Sequence, residues 1–224
     1  LQGGAAGLSG RRRISLFIAP QPALRHGQRM LRALIPALAL LAAPAAATTL
    51  SDVAASLKAT TSLSARFTQV GADGKLLTGR LWLARPGRIR FQYDKAPLLI
   101  VANGRTLSFI DYEVNQVSEW PVRRTPLQIL LASDPDLTPV ARIVADTPAG
   151  VLVEARDPKR PEFGTLNIAF TRDAGAPAGL ALAGWTARDA QGGRSEVRLA
   201  DQRWNADLSK VSFRFKDPRI NLPH

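Results

Sequence analysis

The chain has 224 residues, with 30 Lys plus Arg against 18 Asp plus Glu, a formal net charge of +12 and no cysteine. That length can bury a full core, and an apolar content of 46% excludes a disordered polyelectrolyte. The absence of cysteine excludes a disulfide scaffold, a thiolate metal site, a cysteine nucleophile and a lipid-modified cysteine anchor. The charge is unevenly spread. Residues 1–47 hold six arginines and no acid, which leaves 24 basic against 18 acidic residues, a net of +6, over 48–224. A nucleic-acid partner is not expected on that balance.

From Met30 the sequence reads as a secretory signal peptide over 30–47. Arg32 makes the positive region, Ala33 to Ala43 the apolar stretch, and Ala45-Ala46-Ala47 the small residues before cleavage. The apolar run is too short for the roughly 20 residues that cross a bilayer, so no stable membrane insertion is expected. Residues 1–29 show no steady periodicity and read as a spurious or disordered extension upstream of Met30. A twin-arginine export signal around Arg11–Phe17 is the alternative.

After the leader, Val53, Ala54 and Leu57 recur at helical spacing, with Ser51 as the expected cap and Asp52 at the positive end. From Leu63 the period becomes two, through Leu63–Phe67, Leu77–Leu83, Ile89–Tyr93, Leu98–Ala102, Thr106–Asp111 and Val114–Trp120. Gly71–Lys75 and Asn103-Gly104 mark turns between these runs. Thr125-Pro126-Leu127 opens a second helix through Ala132, with Pro at its first position. Strands are then expected over 140–145, 150–156, 165–171, 179–188, 194–204 and 211–215. Nothing divides 48–224, so one domain is expected. Many strands and few helices make the fold mainly β (α+β). The expected form is a curled antiparallel half-barrel whose concave apolar face is lidded by two or three short helices.

Histidine chemistry has little to work with, since the only histidine after the leader is His224. A catalytic triad or histidine metal site would have to recruit that residue, and an enzyme is not expected. Asp94, Asp111, Glu113 and Glu119 lie on strands or turns, where solvated faces and turn caps account for them. No cofactor or metal is expected.

One series of motifs is more specific. Phe67-Thr68-Gln69 is followed by Gly79-Arg80-Leu81-Trp82-Leu83-Ala84-Arg85-Pro86-Gly87-Arg88-Ile89-Arg90-Phe91, then by Val101-Ala102-Asn103-Gly104-Arg105-Thr106-Leu107 and Asn115-Gln116-Val117. This series resembles the LolA family of periplasmic outer-membrane lipoprotein carriers. The resemblance implies a monomer in the periplasm of a Gram-negative bacterium, and a cavity that accepts the acyl chains of lipoproteins. It also implies cargo received from an ATP-driven lipoprotein-releasing complex of the inner membrane and passed to an outer-membrane acceptor. A related acceptor family of the same fold carries a lipidated cysteine after its leader. Thr48 stands there, which favours the soluble carrier.

By the same resemblance Arg85 is the lid latch, bonding to the lid helices in the closed state. The cavity residues are expected to be Val53, Leu57, Leu63, Ile89, Phe91, Leu127 and Leu130. Gln128 places an amide on a lid helix where an apolar residue is usual, so a weaker seal is expected there. Arg80, Arg85, Arg88 and Arg90 are read either as a docking face for an acidic partner or as a solvated basic edge. Alternative functions on the same fold are carriage of another lipid, such as a glycolipid or hopanoid, and lipid sensing without transport.

Overall fold

The computed structural model describes residues 47–221. The extension expected at 1–29 and the leader up to Ala46 lie outside the described residues, as do 222–224. Helix α1 (Leu50–Ala59) leads into β1 (Ser62–Val70), β2 (Leu76–Ala84), β3 (Arg88–Tyr93), β4 (Leu98–Asn103), β5 (Thr106–Asp111) and β6 (Gln116–Pro121). A connection holds a one-turn helix at Val122–Arg124 and then α2 (Gln128–Leu131). The chain returns to strands in β7 (Ala141–Thr147), β8 (Gly150–Ala155), β9 (Thr165–Arg172), β10 (Leu180–Arg188) and β11 (Arg194–Trp204).

All of these strands form one antiparallel sheet in the order β6-β5-β4-β3-β2-β1-β11-β10-β9-β8-β7. Each half is a plain meander, and the halves join where β1 pairs with β11, with Leu63 opposite Trp204 and Phe67 opposite Leu199. The period-two pattern sends one set of side chains to each face. Leu63, Phe67, Leu81, Leu83, Ile89, Phe91, Val153, Ile168, Phe170 and Trp185 are all buried in a single apolar cluster drawn from both halves. A flat sheet of this width could not bring β4 and β8 residues into one cluster; the sheet curls around it. Aromatic edge-to-face pairs brace the floor of this concave face. The Phe67 ring lies 5.2 Å from Phe91 and 5.1 Å from Tyr93, and Phe91 lies 6.1 Å from Trp185.

Several boundaries differ from the sequence reading, each for a local reason. The cap of α1 is Thr49, not Ser51: its hydroxyl accepts from the Asp52 backbone N–H while the Asp52 carboxylate accepts from the Thr49 N–H. That reciprocal pair needs a spacing of three, which Ser51 lacks. The second helix starts at Gln128 rather than at Pro126. The Thr125 N–H donates to the Val122 carbonyl, so the chain there still belongs to the preceding turn.

The expected strand at 211–215 does not form. This segment runs over the convex face as a strap, with Phe213 and Phe215 packed on Leu99, Val101 and Ile110. Its Ser212 and Arg214 carbonyls accept from the Arg90 guanidinium instead of from a neighbouring strand, and Arg88 lies 5.4 Å from the Phe213 ring centre. Arg88 and Arg90 therefore hold the strap, while Arg85 turns inward. The four arginines do not make one face.

Gly79 shows how tightly the floor is packed. A Cβ there would stand 2.1 Å from the Gln92 carbonyl oxygen and 2.6 Å from the Phe67 ring. Gly79→Ala is expected to cost about 1–3 kcal/mol of stability through overpacking, measured as a lowered midpoint in urea or heat. A neutral effect would show that both the β3 backbone at Gln92 and the Phe67 ring can move aside.

Candidate functional site

The concave face is covered by two pieces of chain. α1 lays Val53, Ser56 and Leu57 onto it, all buried. The connection between β6 and β7 must travel from one edge of the sheet to the other. It does so over the concave side, burying Leu130, Leu131 and Leu137 in the same cluster as the sheet residues. Of the expected cavity residues, Val53, Leu57, Leu63, Ile89, Phe91 and Leu130 meet in this cluster. Leu127 is only partly buried and packs at its margin. Gln128 is exposed on the outer surface of α2 and takes no part in the seal, contrary to the expectation from sequence.

The covered interior is nearly full. The void among Ser56, Leu57, Thr60, Leu63, Arg85 and Trp204 measures about 10 Å³, at the lower limit for one water. Larger clefts open on either side of α2, the first reaching Ala155 and Leu166 of the core cluster. One of about 350 Å³ is bounded by Ile129, Pro135 and Phe163, and the other, of about 640 Å³, by Gly104, Arg105 and Arg123. The single turn of α2 is thus a ridge held mainly from beneath.

Few polar contacts hold the cover down. The Ser56 hydroxyl donates to the Leu180 carbonyl at 2.6 Å, tying α1 to the start of β10. Asn205, beyond β11, accepts from the Thr61 N–H at 2.8 Å and donates to the Ala59 carbonyl, fixing the end of α1. Lys58 and Asp134 make a 3.0 Å ion pair between α1 and the β6–β7 connection. Both side chains are well exposed, so its contribution is about 0–1 kcal/mol.

The turn from β2 to β3 touches every part of the cover. The Arg85 guanidinium Nη1 donates to the Thr60 carbonyl at the end of α1, and the Arg85 backbone N–H donates to the Thr61 carbonyl at 2.9 Å. Two residues on, the Gly87 N–H donates to the Leu131 carbonyl of α2 at 2.9 Å. Gly87 also abuts the β4–β5 turn, accepting from the Gly104 N–H. Its φ of +73° and a would-be Cβ only 2.8 Å from Gly104 require glycine here. Sequence reading singled out Arg85 but passed over Gly87, Ser56, Leu131, Leu137 and Asn205. The signals available were the Pro-Gly pair for Gly87 and the shared helical face with Val53 for Ser56.

Arg85 is electrostatically unusual. Burial pulls its guanidinium down to about 10 from the ordinary 12.5, and among the described residues no carboxylate lies within ion-pair distance. Its Nε is buried without a hydrogen-bond partner. Tyr93 is pushed up to about 12 by burial while its hydroxyl donates to Gln69 at 2.6 Å, which leaves it a neutral hydrogen-bonding group. Three of the four acids considered for catalysis have carboxylates engaged separately. Asp94 pairs with Arg66 at 2.8 Å, Asp111 caps the Glu113 N–H, and Glu119 accepts from Ser108. Among the described residues there is no metal-binding group of three His, Cys, Asp or Glu, and no helix long and apolar enough to cross a membrane.

Comparison with known proteins gives the family. A LolA superfamily protein from Nitrosomonas europaea, of solved structure, aligns over 74% of this chain and 97% of its own, with 11% identity and a TM-score of 0.40. In sequence, the chain is 29% identical to an outer-membrane lipoprotein carrier protein of Chromobacterium violaceum, over 80% of this chain and 88% of the relative. It is 27% identical to a protein of the same name from Coxiella burnetii, over 69% of this chain and 76% of the relative. The family model for outer membrane lipoprotein carrier protein LolA matches residues 58–216, most of the chain, and the protein belongs to the LolA family.

Proposed function

We propose that this protein is a periplasmic carrier that takes up the acyl chains of lipoproteins at the inner membrane and delivers them to an outer-membrane acceptor. The observation that carries this reading is a continuous apolar concave face closed by a cover with few polar ties. Family membership and the names of its relatives support it.

The energetics suit that role. Each CH₂ buried is worth about 0.8 kcal/mol, so a multiply acylated protein stays in a membrane unless an apolar container of similar quality receives it. Here the interior is filled by the protein's own side chains. Acyl chains enter by lifting Leu130, Leu131 and the buried face of α1 and taking over their contacts with the floor. Apolar burial by cover and cargo then largely cancels, and the balance rests on the polar ties broken on opening. A hydrogen bond with a charged partner contributes about 1.5–3 kcal/mol, so the Arg85–Thr60 bond biases the empty protein toward closure. That bias re-forms on delivery and favours release to the acceptor. A second membrane complex fuelled by ATP is the natural source of work for loading.

Incubating spheroplasts with the purified protein is expected to bring labelled lipoproteins into the soluble fraction, and a second incubation with an acceptor is expected to remove them. No release in the presence of the matching inner-membrane complex would overturn the reading. Arg85→Leu is expected to load lipoprotein and to lose most of the transfer step, because the empty state no longer gains its closing bond. Its thermal stability should be equal to or above that of the native chain, since a buried, poorly compensated charge has been removed. Gly87→Ala is expected to cost about 1–3 kcal/mol of backbone strain and to loosen α2. The readout is increased binding of a neutral hydrophobic dye by the empty protein.

A further inference from the structure

The interior holds a charge that the protein does not neutralise. Every ion pair among the described residues involves side chains at the surface, and Arg85 is in none of them. Of its five N–H donors, one on Nη1 is used by the Thr60 carbonyl, and the Nε donor is buried and unpaired. On its inner side stand Leu57, Leu63, Leu83, Phe170 and Leu182 beside Ser56 and Trp204, while its outer side borders a cleft of about 360 Å³ that Asp207 also lines. Where it faces the apolar side chains, such a cation attracts an anion more strongly than it would in water, because less solvent screens the pair. The Nε edge of a guanidinium, once uncovered, fits a carboxylate, which accepts two parallel N–H bonds. A neutral carbonyl, like that of Thr60, satisfies one donor and leaves the charge.

We propose that the opened interior binds a single-chain amphiphile with a carboxylate head, a long-chain fatty acid, with the carboxylate on the Nε edge of Arg85 and the alkyl chain along the concave face. This rests on the reading that the cover lifts to admit acyl chains, and it adds a ligand distinct from an acylated protein. The esters and amides of a lipoprotein carry carbonyls but no charge at the lipid, so they gain less from Arg85. A free fatty acid therefore competes with the protein cargo for the interior, and its head takes the guanidinium donors that the Thr60 carbonyl, on Nη1, leaves free.

The test is titration calorimetry of the purified protein with palmitate and with methyl palmitate, below micelle-forming concentrations and at a pH where palmitate is ionised. The methyl ester stands for the neutral acyl ester of a lipoprotein. The expected result is at least about tenfold tighter binding of palmitate, the discrimination that one charge-assisted pair supplies. Arg85→Gln should bring that ratio close to one, and Arg85→Lys, which keeps a cation, should restore part of it. A second measurement needs no variant: the Nε–H resonance of Arg85 in ¹⁵N-labelled protein should shift with palmitate and much less with the ester. Equal affinities, a ratio unchanged in Arg85→Gln, an Nε–H shift of the same size with both ligands, or binding of neither ligand would overturn the proposal. A protein that releases lipoproteins from spheroplasts yet does not discriminate the two ligands would sink this inference alone and leave the carrier reading standing.

Discussion

The pairing of β1 with β11 determines the rest of the architecture. It joins two meanders at the middle of the sheet and so sends β6 and β7, consecutive along the chain, to opposite edges. The connection between them has no route except across a face. On the concave side it finds the larger apolar surface, and its leucines complete the core. The cover is therefore part of the topology and not an added domain. α1 is tethered just before the same seam, through Asn205 on one flank and the β2–β3 turn on the other.

What distinguishes this interior from an ordinary core is how its parts are held. The sheet is fixed by hydrogen-bonded ladders between every pair of neighbouring strands, whereas α2 is a single turn of four residues whose order comes from burial of Leu130 and Leu131. Arg85 and Gly87 gather the ties to both covering pieces into one turn, so a change at that turn is felt by α1 and α2 together. A buried guanidinium is a poor way to maximise stability, since desolvation offsets much of its bonding. It serves better where closure must be reversible.

Much of this fold was legible in the sequence, because alternation from Leu63 to Asp111 and again from Gly150 to Trp204 is the direct signature of half-buried strands. The turns at Gly71–Lys75 and Asn103-Gly104 were equally plain. The strap was not, since Val211, Phe213 and Phe215 alternate as a strand would; only the capture of its carbonyls by Arg90 decides otherwise. Of the seven apolar residues that the resemblance assigned to a cavity, six are buried in one cluster. The resemblance singled out Arg85, but its missing counter-charge depends on which side chains surround it in space, and no spacing along the chain encodes that. Gln128 misled for the reverse reason: a residue's place in a motif does not tell which side of one helical turn it occupies.

The connection over the concave face acts as a chord across an arc, fixed at β6 and at β7. Helical residues advance about 1.5 Å each and extended ones about 3.3 Å. Unwinding the four residues of α2 would lengthen the chord by about 7 Å without disturbing a single strand pair. That slack lets the span bow outward while its ends stay put, so the interior can gain room with the sheet's curvature unchanged.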